Sequence, residues 1–386
     1  MDALANVYGN LLMMRPPVPA TCNKAGANYK SEVAHLTYSP QRAYDEWLAI
    51  ADAILACGGD ALYLFEAADE AFFDQRCLTV NATGDIRGDR SSAVLGNLAD
   101  VETGRVFAAN GPWVTVTTQQ LRAVMPNMLA HRQSEASYYR ELLARIAAEG
   151  NYELALTDNP YRWEGMADVA TVGQRVVLTY AVAGHYDEAT SPKSSRSSRE
   201  GVAFAATAAG VPEAARIYAE LIYPHFHGDT VHFGLRCASG AAIQGARDKL
   251  VHYPAGLWNG QSSHVVEVLG QENIVPLTSH DAVEQYAGNS RQVNDGVLVP
   301  DGVSEAYAAQ LRGLGLAVHR VPLFELFGKA GGGPGCATLY MPKNLHVPPT
   351  SSLRYSVTRE GAHAQRARIP AELRIDAAYF EGKSRG

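Results

Sequence analysis

The stretch Lys329–Leu339 reads KAGGGPGCATL and contains three consecutive glycines followed by a Pro-Gly pair. Glycines in succession cost backbone entropy on folding, so this run indicates a special local geometry. It matches neither the phosphate-binding motif GxxxxGK(S/T) nor the dinucleotide-binding motif GxGxxG. Cys336 directly follows the glycines. It is therefore either a nucleophile on a loop that substrate can approach or a small buried cysteine beside a turn.

A second stretch with candidate catalytic groups, His225–His232, reads HFHGDTVH. If this stretch is a strand, its alternation places His225, His227 and Asp229 on one face. Three such side chains could bind zinc. Alternatively, His227 is a general acid and base oriented by carboxylates, or the histidines are capped or lie on the surface. The residues alone leave these three interpretations open.

A third stretch, Tyr161–Val169, reads YRWEGMADV and carries two carboxylates around a turn of small residues. Glu164 and Asp168 lie close to aromatic residues, which predicts a partly apolar environment. Carboxylates in such a site suit a planar guanidinium, which forms two parallel hydrogen bonds with a carboxylate. The alternative is a turn with two solvated acids.

The composition bounds the class of protein. The chain has 386 residues, of which 47% are hydrophobic and 19% charged, and this excludes a disordered chain. A formal charge of −7 argues against a broadly basic surface for nucleic acid. The cysteines are few, odd in number and widely spaced, which argues for a reducing compartment. With no signal-peptide pattern and no apolar run of ~18 residues, we expect a cytoplasmic enzyme that acts on a small molecule, without membrane or nucleic-acid partners.

Strand-like and helix-like segments alternate along the chain, which predicts the α/β class. The predicted strands are Leu11–Met14, Ala61–Phe65, Val176–Tyr180, His264–Leu269, Gly296–Pro300 and Leu316–Val321. The predicted helices are Ala43–Cys57, Met128–Glu149, Gly201–Gly210 and Ser304–Arg312. No linker divides the chain, so we expect one domain over residues 1–345, with a loop insertion around 66–103 and a polar C-terminal extension over 346–386.

These stretches belong to a longer series of short motifs in a characteristic order. The series is LLMMRPP at Leu11–Pro17, VFAANG at Val106–Gly111, RQ…YY at Arg132–Tyr139, WEG…D at Trp163–Asp168, RSSR at Arg196–Arg199, HGD at His227–Asp229 and KxGGGxxCxTL at Lys329–Leu339. Together they resemble the guanidino-group-modifying superfamily, which includes amidinotransferases, arginine deiminases, dimethylarginine dimethylaminohydrolases and arginine or succinylarginine dihydrolases. The resemblance implies a single-domain, five-bladed, pseudo-symmetric α/β propeller with a central active site. It implies neither a metal nor an organic cofactor, and it is compatible with a homodimer.

The resemblance also implies roles for the motif residues. Cys336 would be the nucleophile, and His227 would protonate the leaving nitrogen and then activate water. Glu164, the third member of the catalytic set, would hold the guanidinium together with Asp229. Asp168 would contribute to substrate binding by orienting this network.

Two further residues bear on the substrate. Arg196 would clamp a substrate carboxylate, with Arg199 as the nearby alternative. Deiminases and dimethylarginine hydrolases carry Asp where this chain has Asn110, and in this respect the chain resembles the dihydrolases. A neutral amide can hydrogen-bond both a guanidinium and the uncharged ureido group of an intermediate.

The first functional hypothesis is therefore a cysteine-dependent hydrolase of arginine or a related guanidino compound, with dihydrolysis preferred over deimination. An amidinotransferase that uses the same Cys336 intermediate is the alternative. A zinc metallohydrolase centred on His225, His227 and Asp229 is a third hypothesis, and a protein that only binds guanidino ligands is the fourth.

Overall fold

The computed structural model describes residues 9–17, 39–64, 106–182, 196–237 and 248–371, apart from 130–131, 134, 327, 330 and 370. The insertion predicted around 66–103 and the chain after residue 371 lie outside the described residues. Among the helices in these ranges, none has the length and apolar character that crossing a bilayer requires.

The described strands form five three-stranded sheets. The strands are β1 (Leu11–Met14), β2 (Asp60–Leu62), β3 (Trp113–Val116), β4 (Gln120–Met125), β5 (Glu153–Asp158), β6 (Val169–Val172), β7 (Arg175–Tyr180), β8 (Arg216–Glu220), β9 (His232–Leu235), β10 (Lys249–His252), β11 (Ile274–Pro276), β12 (Arg291–Val293), β13 (Gly296–Pro300), β14 (Ala317–Val321) and β15 (Thr338–Tyr340). The helices are α1 (Pro40–Ala56), α2 (Glu135–Gly150), α3 (Arg199–Ala208), α4 (Gln261–Leu269), α5 (Glu305–Gly313), α6 (Pro334–Ala337) and α7 (Tyr355–Ala367). The predicted α/β class is confirmed.

All five sheets share one topology. In each, a first strand pairs antiparallel with a middle strand, and a helix then leads to a third strand that pairs parallel with the middle one. Parallel neighbours require such a crossover, which explains why a helix precedes every third strand. The sheet β15-β1-β2 is formed from both ends of the described chain, because Met13 of β1 lies opposite Leu339 of β15.

The first strands of different sheets lie close together. A cavity of about 40 Å³ is lined by residues of β6, β9, β12 and β15, which are the first strands of four sheets. These four sheets therefore surround a common interior with their first strands.

Helix α1 illustrates how local sequence determines these elements. Ser39 caps its N-terminus by accepting a hydrogen bond from the Arg42 backbone N–H at 3.4 Å, and Pro40 occupies the first turn. Trp47 and Ile54 are fully buried on one face of the helix. The amphipathic pattern that predicts this helix thus reflects its packing against the first sheet.

The described part of the predicted C-terminal extension packs on the same core. Tyr355, at the start of α7, is fully buried, and its ring contacts Trp47 with centroids 6.0 Å apart. Arg366 pairs with Asp45 of α1 at 2.7 Å. The domain boundary at residue 345 remains a prediction, but this helix covers α1.

One predicted strand is wrong. His264–Leu269 lies in helix α4, although Val265, Val266 and Val268 favour a strand. The segment connects β10 to the parallel strand β11, and tertiary structure therefore requires a helix here despite the local propensity. Similarly, the helix predicted from Met128 begins only at Glu135.

Candidate active site

A short helical turn precedes the first strand of every sheet, and we call these five segments the site turns. They are Ala108–Asn110 before β3, Gly165–Asp168 before β6, Gly228–Thr230 before β9, Ala287–Asn289 before β12 and helix α6 before β15. Each site turn contacts the next, and the last contacts the first. The site turns therefore form a closed ring, and the motif residues Asn110, Asp168, Asp229 and Cys336 lie in it.

Glu164 immediately precedes the second site turn and forms the centre of a buried charged cluster. Its Oε2 atom lies 2.9 Å from His227 Nε2 and 3.1 Å from Arg196 Nη1. Its Oε1 atom accepts a hydrogen bond from the Leu129 backbone N–H at 3.3 Å. Burial raises the pKa of Glu164, but the charge of Arg196 and the hydrogen bond with His227 outweigh it and hold this pKa well below its usual range. Glu164 is therefore ionised at neutral pH.

His227 precedes the third site turn and is buried with it. Because Glu164 is ionised, His227 Nε2 carries the proton of their hydrogen bond. Its Nδ1 atom is buried and has no hydrogen-bond partner in the part of the chain that the structure describes. The ring thus has one nitrogen fixed on Glu164 and a second one without a protein contact there.

Cys336 lies in α6 and is 2% exposed. Its thiol donates to Asp229 Oδ2 at 3.1 Å, and its Sγ accepts from Asn289 Nδ2 at 3.0 Å. Burial, reinforced by the neighbouring Asp229, raises the pKa of the Cys336 thiol well above its usual range. Burial also raises the pKa of Asp229. Since the thiolate is the reactive form, a cation beside this pair favours reactivity.

Asp168 connects the second and third site turns. Its Oδ1 atom accepts from the Gly228 backbone N–H at 2.8 Å, and its Oδ2 atom accepts from the Ser197 hydroxyl. Burial raises the pKa of Asp168 to about 6. These contacts link Asp168 to the segment that carries His227 and Asp229.

The remaining predicted residues also lie in or beside this cluster. Asn110 Nδ2 donates to the Glu164 backbone carbonyl at 2.8 Å and lies 3.4 Å from His227 Nε2. Arg196 is buried with its guanidinium on the Glu164 carboxylate. Arg199, by contrast, begins α3 with its guanidinium 5.3 Å from the centroid of the Tyr218 ring. The structure thus brings Arg196, and not Arg199, to Glu164.

The predicted strand face of His225, His227 and Asp229 is wrong. Gly228–Thr230 forms a 3-10 turn, which breaks the alternation. The His225 ring contacts the Thr230 hydroxyl at 3.1 Å, whereas His227 contacts Glu164 and Asp229 contacts Cys336. Among the described residues, no group of three or more His, Cys, Asp or Glu side chains is arranged to hold a metal ion.

Sequence reasoning missed Asn289, the polar residue of the fourth site turn. It missed as well a buried ion-pair network that connects two of the motifs. Glu135 accepts from Arg15 Nη1 at 3.0 Å and from Arg132 Nε at 2.7 Å. Arg15 belongs to LLMMRPP, and Arg132 and Glu135 belong to the following helix motif. The available signal was Arg15, a charged residue in the otherwise apolar motif LLMMRPP.

No protein-family model and no curated protein sequence matches the chain. Solved structures do. ArgZ, an arginine dihydrolase from the ornithine–ammonia cycle in cyanobacteria, is similar with a TM-score of 0.60 and 19% identity over 88% of this chain and 41% of that one. Its N-terminal domain alone, bound to substrate, matches with a TM-score of 0.58 and 19% identity over 86% of this chain and 97% of the domain. A dimethylarginine dimethylaminohydrolase matches with a TM-score of 0.54 and 17% identity over 86% of this chain and 99% of that one.

These neighbours are guanidino-modifying enzymes, the superfamily that the motifs predict. At such identities the likeness establishes a shared fold, and at this level the predicted resemblance is confirmed. The chain spans less than half of full-length ArgZ and nearly all of its N-terminal domain.

Gly165 joins Glu164 to its site turn, and we expect Gly165→Ala to destabilise the fold by more than about 2 kcal/mol. Its φ is +81°, and a Cβ there would lie 2.3 Å from the Asn110 backbone carbonyl. Gly173→Ala is the matched control, because Gly173 has a φ of +58° and nothing within 4 Å of the added carbon. We expect Gly173→Ala to lower the free energy of unfolding by about 1 kcal/mol, which is the cost of the backbone strain alone. Urea unfolding measures both, and equal losses would contradict the close approach of Gly165 to Asn110.

The buried histidines beside the third site turn predict sensitivity to acid. Burial lowers the pKa of His252 from 6.5 to about 4. As pH falls below 6.5, the unfolded chain takes up a proton that the folded chain does not, so stability decreases until about pH 4. At pH 5 this component is about 2 kcal/mol. We expect His252→Gln to reduce the loss of unfolding free energy between pH 7.5 and pH 5 by up to that amount, whereas replacing the exposed His264 leaves it unchanged. An unaltered pH dependence in His252→Gln would exclude this assignment.

Proposed function

We propose that this protein is a cysteine-dependent hydrolase of arginine or a related guanidino compound, and that it acts as a dihydrolase. One observation carries the proposal: six residues from five distant segments of the chain form one buried group around the ring of site turns, namely Asn110, Glu164, Arg196, His227, Asp229 and Cys336. A nucleophile, an acid–base residue and carboxylates for a cation are the components that C–N cleavage of a guanidinium requires. The shared fold with guanidino-modifying enzymes supports the same conclusion.

The architecture that fits these observations is a five-bladed α/β propeller. Five sheets of identical topology, a closed ring of site turns and an interior lined by first strands support it. We propose one such domain over residues 1–345, followed by the extension 346–386, of which the described helix α7 packs on α1. The cytoplasmic location and the homodimer inferred from the sequence remain predictions.

The first half-reaction starts when the Cys336 thiol proton passes to His227 Nδ1, which gives a thiolate and a protonated imidazole. The thiolate sulfur attacks the central guanidinium carbon, and a C–S bond forms. His227 donates a proton to the departing nitrogen, the C–N bond breaks, and ammonia leaves with the electron pair. Asp229 and Glu164 neutralise the positive charge of the guanidinium and fix its plane. The product of this half-reaction is an amidino-thioether on Cys336.

The second half-reaction consumes water. Neutral His227 takes a proton from water as its oxygen adds to the amidino-thioether carbon. The C–S bond then breaks, its electron pair returns to sulfur, the remaining hydroxyl proton passes to that sulfur, and a ureido product such as citrulline is formed. In a dihydrolase, Cys336 attacks the ureido carbon in turn, a second ammonia leaves, and water releases a carbamate that loses carbon dioxide. Arginine and two waters thereby give ornithine, two ammonia and carbon dioxide.

Asn110 and Arg196 would determine what is bound and for how long. The amide of Asn110 can bond the uncharged ureido group as well as the cation, and this helps to retain the intermediate for the second cycle. In this structure the guanidinium of Arg196 forms an ion pair with the Glu164 carboxylate. We propose that substrate replaces it there and that Arg196 then pairs with the substrate carboxylate.

Incubation of the purified protein with a panel of guanidino compounds, arginine foremost, tests the proposal. Mass spectrometry follows all products, with and without acceptor amines. Ornithine and two ammonia per turnover support dihydrolysis, whereas citrulline and one ammonia would retain the hydrolase but contradict the role of Asn110. A guanidinylated acceptor would instead identify an amidinotransferase. Binding of guanidino compounds without any turnover would refute the proposal that the protein is an enzyme.

A further inference from the structure

Asn289 makes four hydrogen bonds with the nucleophile and its surroundings. Its Oδ1 atom accepts from the backbone N–H groups of Gly333 at 2.9 Å and Cys336 at 2.8 Å. Its Nδ2 atom donates to Cys336 Sγ at 3.0 Å and to the Asp229 backbone carbonyl at 3.0 Å. The side chain is fully buried. One amide thus contacts both residues of the thiol–carboxylate pair.

These contacts determine the orientation of the amide. Two N–H donors converge on one of its atoms, and only the oxygen can accept both. The nitrogen is consequently directed at Sγ, with its hydrogens toward the sulfur and the Asp229 carbonyl. If the amide were rotated by 180°, its NH₂ group would face the backbone N–H groups of Gly333 and Cys336, and none of these groups could accept a hydrogen bond. The two backbone donors therefore exclude that orientation.

Helix α6 depends on this side chain. The first N–H groups of a helix lack partners within the helix, and a capping side chain normally accepts from them. The cap residue here is Gly333, which has no side chain, and no side-chain cap is formed locally. Asn289 replaces that cap from a distant part of the chain and thereby fixes the backbone that carries Cys336.

The charges that face Sγ explain why a donor is needed. Asp229 opposes formation of the thiolate, because it places a carboxylate 3.1 Å away. Arg291 of β12 favours the thiolate, but its guanidinium donates to the Thr338 carbonyl at 2.8 Å. The Asn289 amide donates directly to the sulfur, and a hydrogen bond to the charged form stabilises it.

We propose that Asn289 is a catalytic residue of this site, which stabilises the Cys336 thiolate through its Nδ2–H and fixes its position through its Oδ1. The inference deepens the proposed function and rests on it for the role of Cys336 in turnover. Asn289 is the contribution of the fourth site turn to the ring, where the other four contribute Asn110, Asp168, Asp229 and Cys336.

Alkylation of Cys336 tests this inference without a substrate. Iodoacetamide reacts with thiolates, and peptide mass spectrometry measures its rate at Cys336 separately from that at the other cysteines. Asn289→Asp retains an acceptor for both backbone N–H groups but replaces the donor with an acceptor oxygen. We expect its alkylation at Cys336 to be at least about tenfold slower at pH 8, with the rate profile shifted at least one unit to higher pH.

Asn273→Asp is the matched control, because Asn273 is also buried and its amide donates to the Leu269 carbonyl at the end of α4. It reports the effect of burying an acid elsewhere in the fold, and we expect the wild-type alkylation profile. If Asn289→Asp does not fold, Asn289→Ser is used, since its shorter side chain cannot reach the sulfur. An alkylation profile equal to that of the wild type, in whichever variant is folded, overturns the inference. If alkylation changes as expected but no guanidino compound is turned over, the proposed function fails while the role of Asn289 at the thiol stands.

Discussion

Cys336→Ser is expected to lower the rate of guanidino hydrolysis by about 10⁴-fold or more. The serine hydroxyl fits the same space and can bond Asp229 and Asn289, so the fold should be preserved. A hydroxyl does not ionise at neutral pH, however, and Asp229 opposes its ionisation further. No covalent intermediate should therefore form, and substrate binding should persist. Steady-state assay, calorimetric titration with arginine and intact-protein mass spectrometry measure these three effects.

Cys57→Ser provides the control for this prediction. Cys57 is half-buried at the end of α1, in a different part of the fold from the site turns. We expect wild-type activity from it. Full activity in Cys336→Ser would disprove the covalent mechanism, and an adduct on a residue other than Cys336 would identify a different nucleophile.

His227→Gln is expected to lower kcat by about 10²- to 10⁴-fold. Glutamine can still donate to Glu164, so the buried carboxylate keeps a partner and the change in stability is small. It cannot exchange protons with the leaving nitrogen or with water, and both half-reactions should slow. Intact-protein mass spectra after quenching in acid show which half-reaction is slower, because the amidino-thioether on Cys336 accumulates only if its hydrolysis is slower than its formation.

His225→Gln is the matched control, since His225 lies on the same segment and contacts Thr230 instead of Glu164. Its activity should remain within a few-fold of wild type. Equal loss of activity in both variants would indicate that the segment, and not the His227 ring, is what catalysis requires. A normal kcat in His227→Gln would exclude it as the acid and base.

The predicted site residues came from motifs, and the structure explains why motifs could locate them. Glu164 precedes the site turn that Asp168 ends, and His227 precedes the site turn that contains Asp229, so their spacing is fixed by a few residues of local backbone. The α/β class was likewise accessible, since strands such as β7 and β13 contain the apolar runs Val176–Leu178 and Val297–Val299. Local signals of these kinds survive in a single sequence.

Other features depend on contacts between distant segments. Asn289 is a single asparagine in an unremarkable stretch, AGNSR, and its importance arises only because Cys336 packs against it. The five sheets share one topology, but the sequence shows no evident repeat. Several strands have only three residues, and this is too short for a recognisable sequence pattern. The opposite case is His264–Leu269, where β-branched residues predict a strand. The structure has a helix there instead, because the chain must cross over from β10 to the parallel strand β11.

The pairing of β15 with β1 has a consequence for the order of events during synthesis. Among the described strands, β15 is the last that the ribosome releases; it completes the sheet that β1 began, and α6 with Cys336 directly precedes it. The entropic cost of bringing β15 to β1 grows only logarithmically with the length of the chain between them. The late pairing of these two strands therefore reflects the time that translation takes, and its cost in stability is modest. A nascent chain can therefore assemble the carboxylates and His227 in advance, while the nucleophile reaches them only when β15 has emerged.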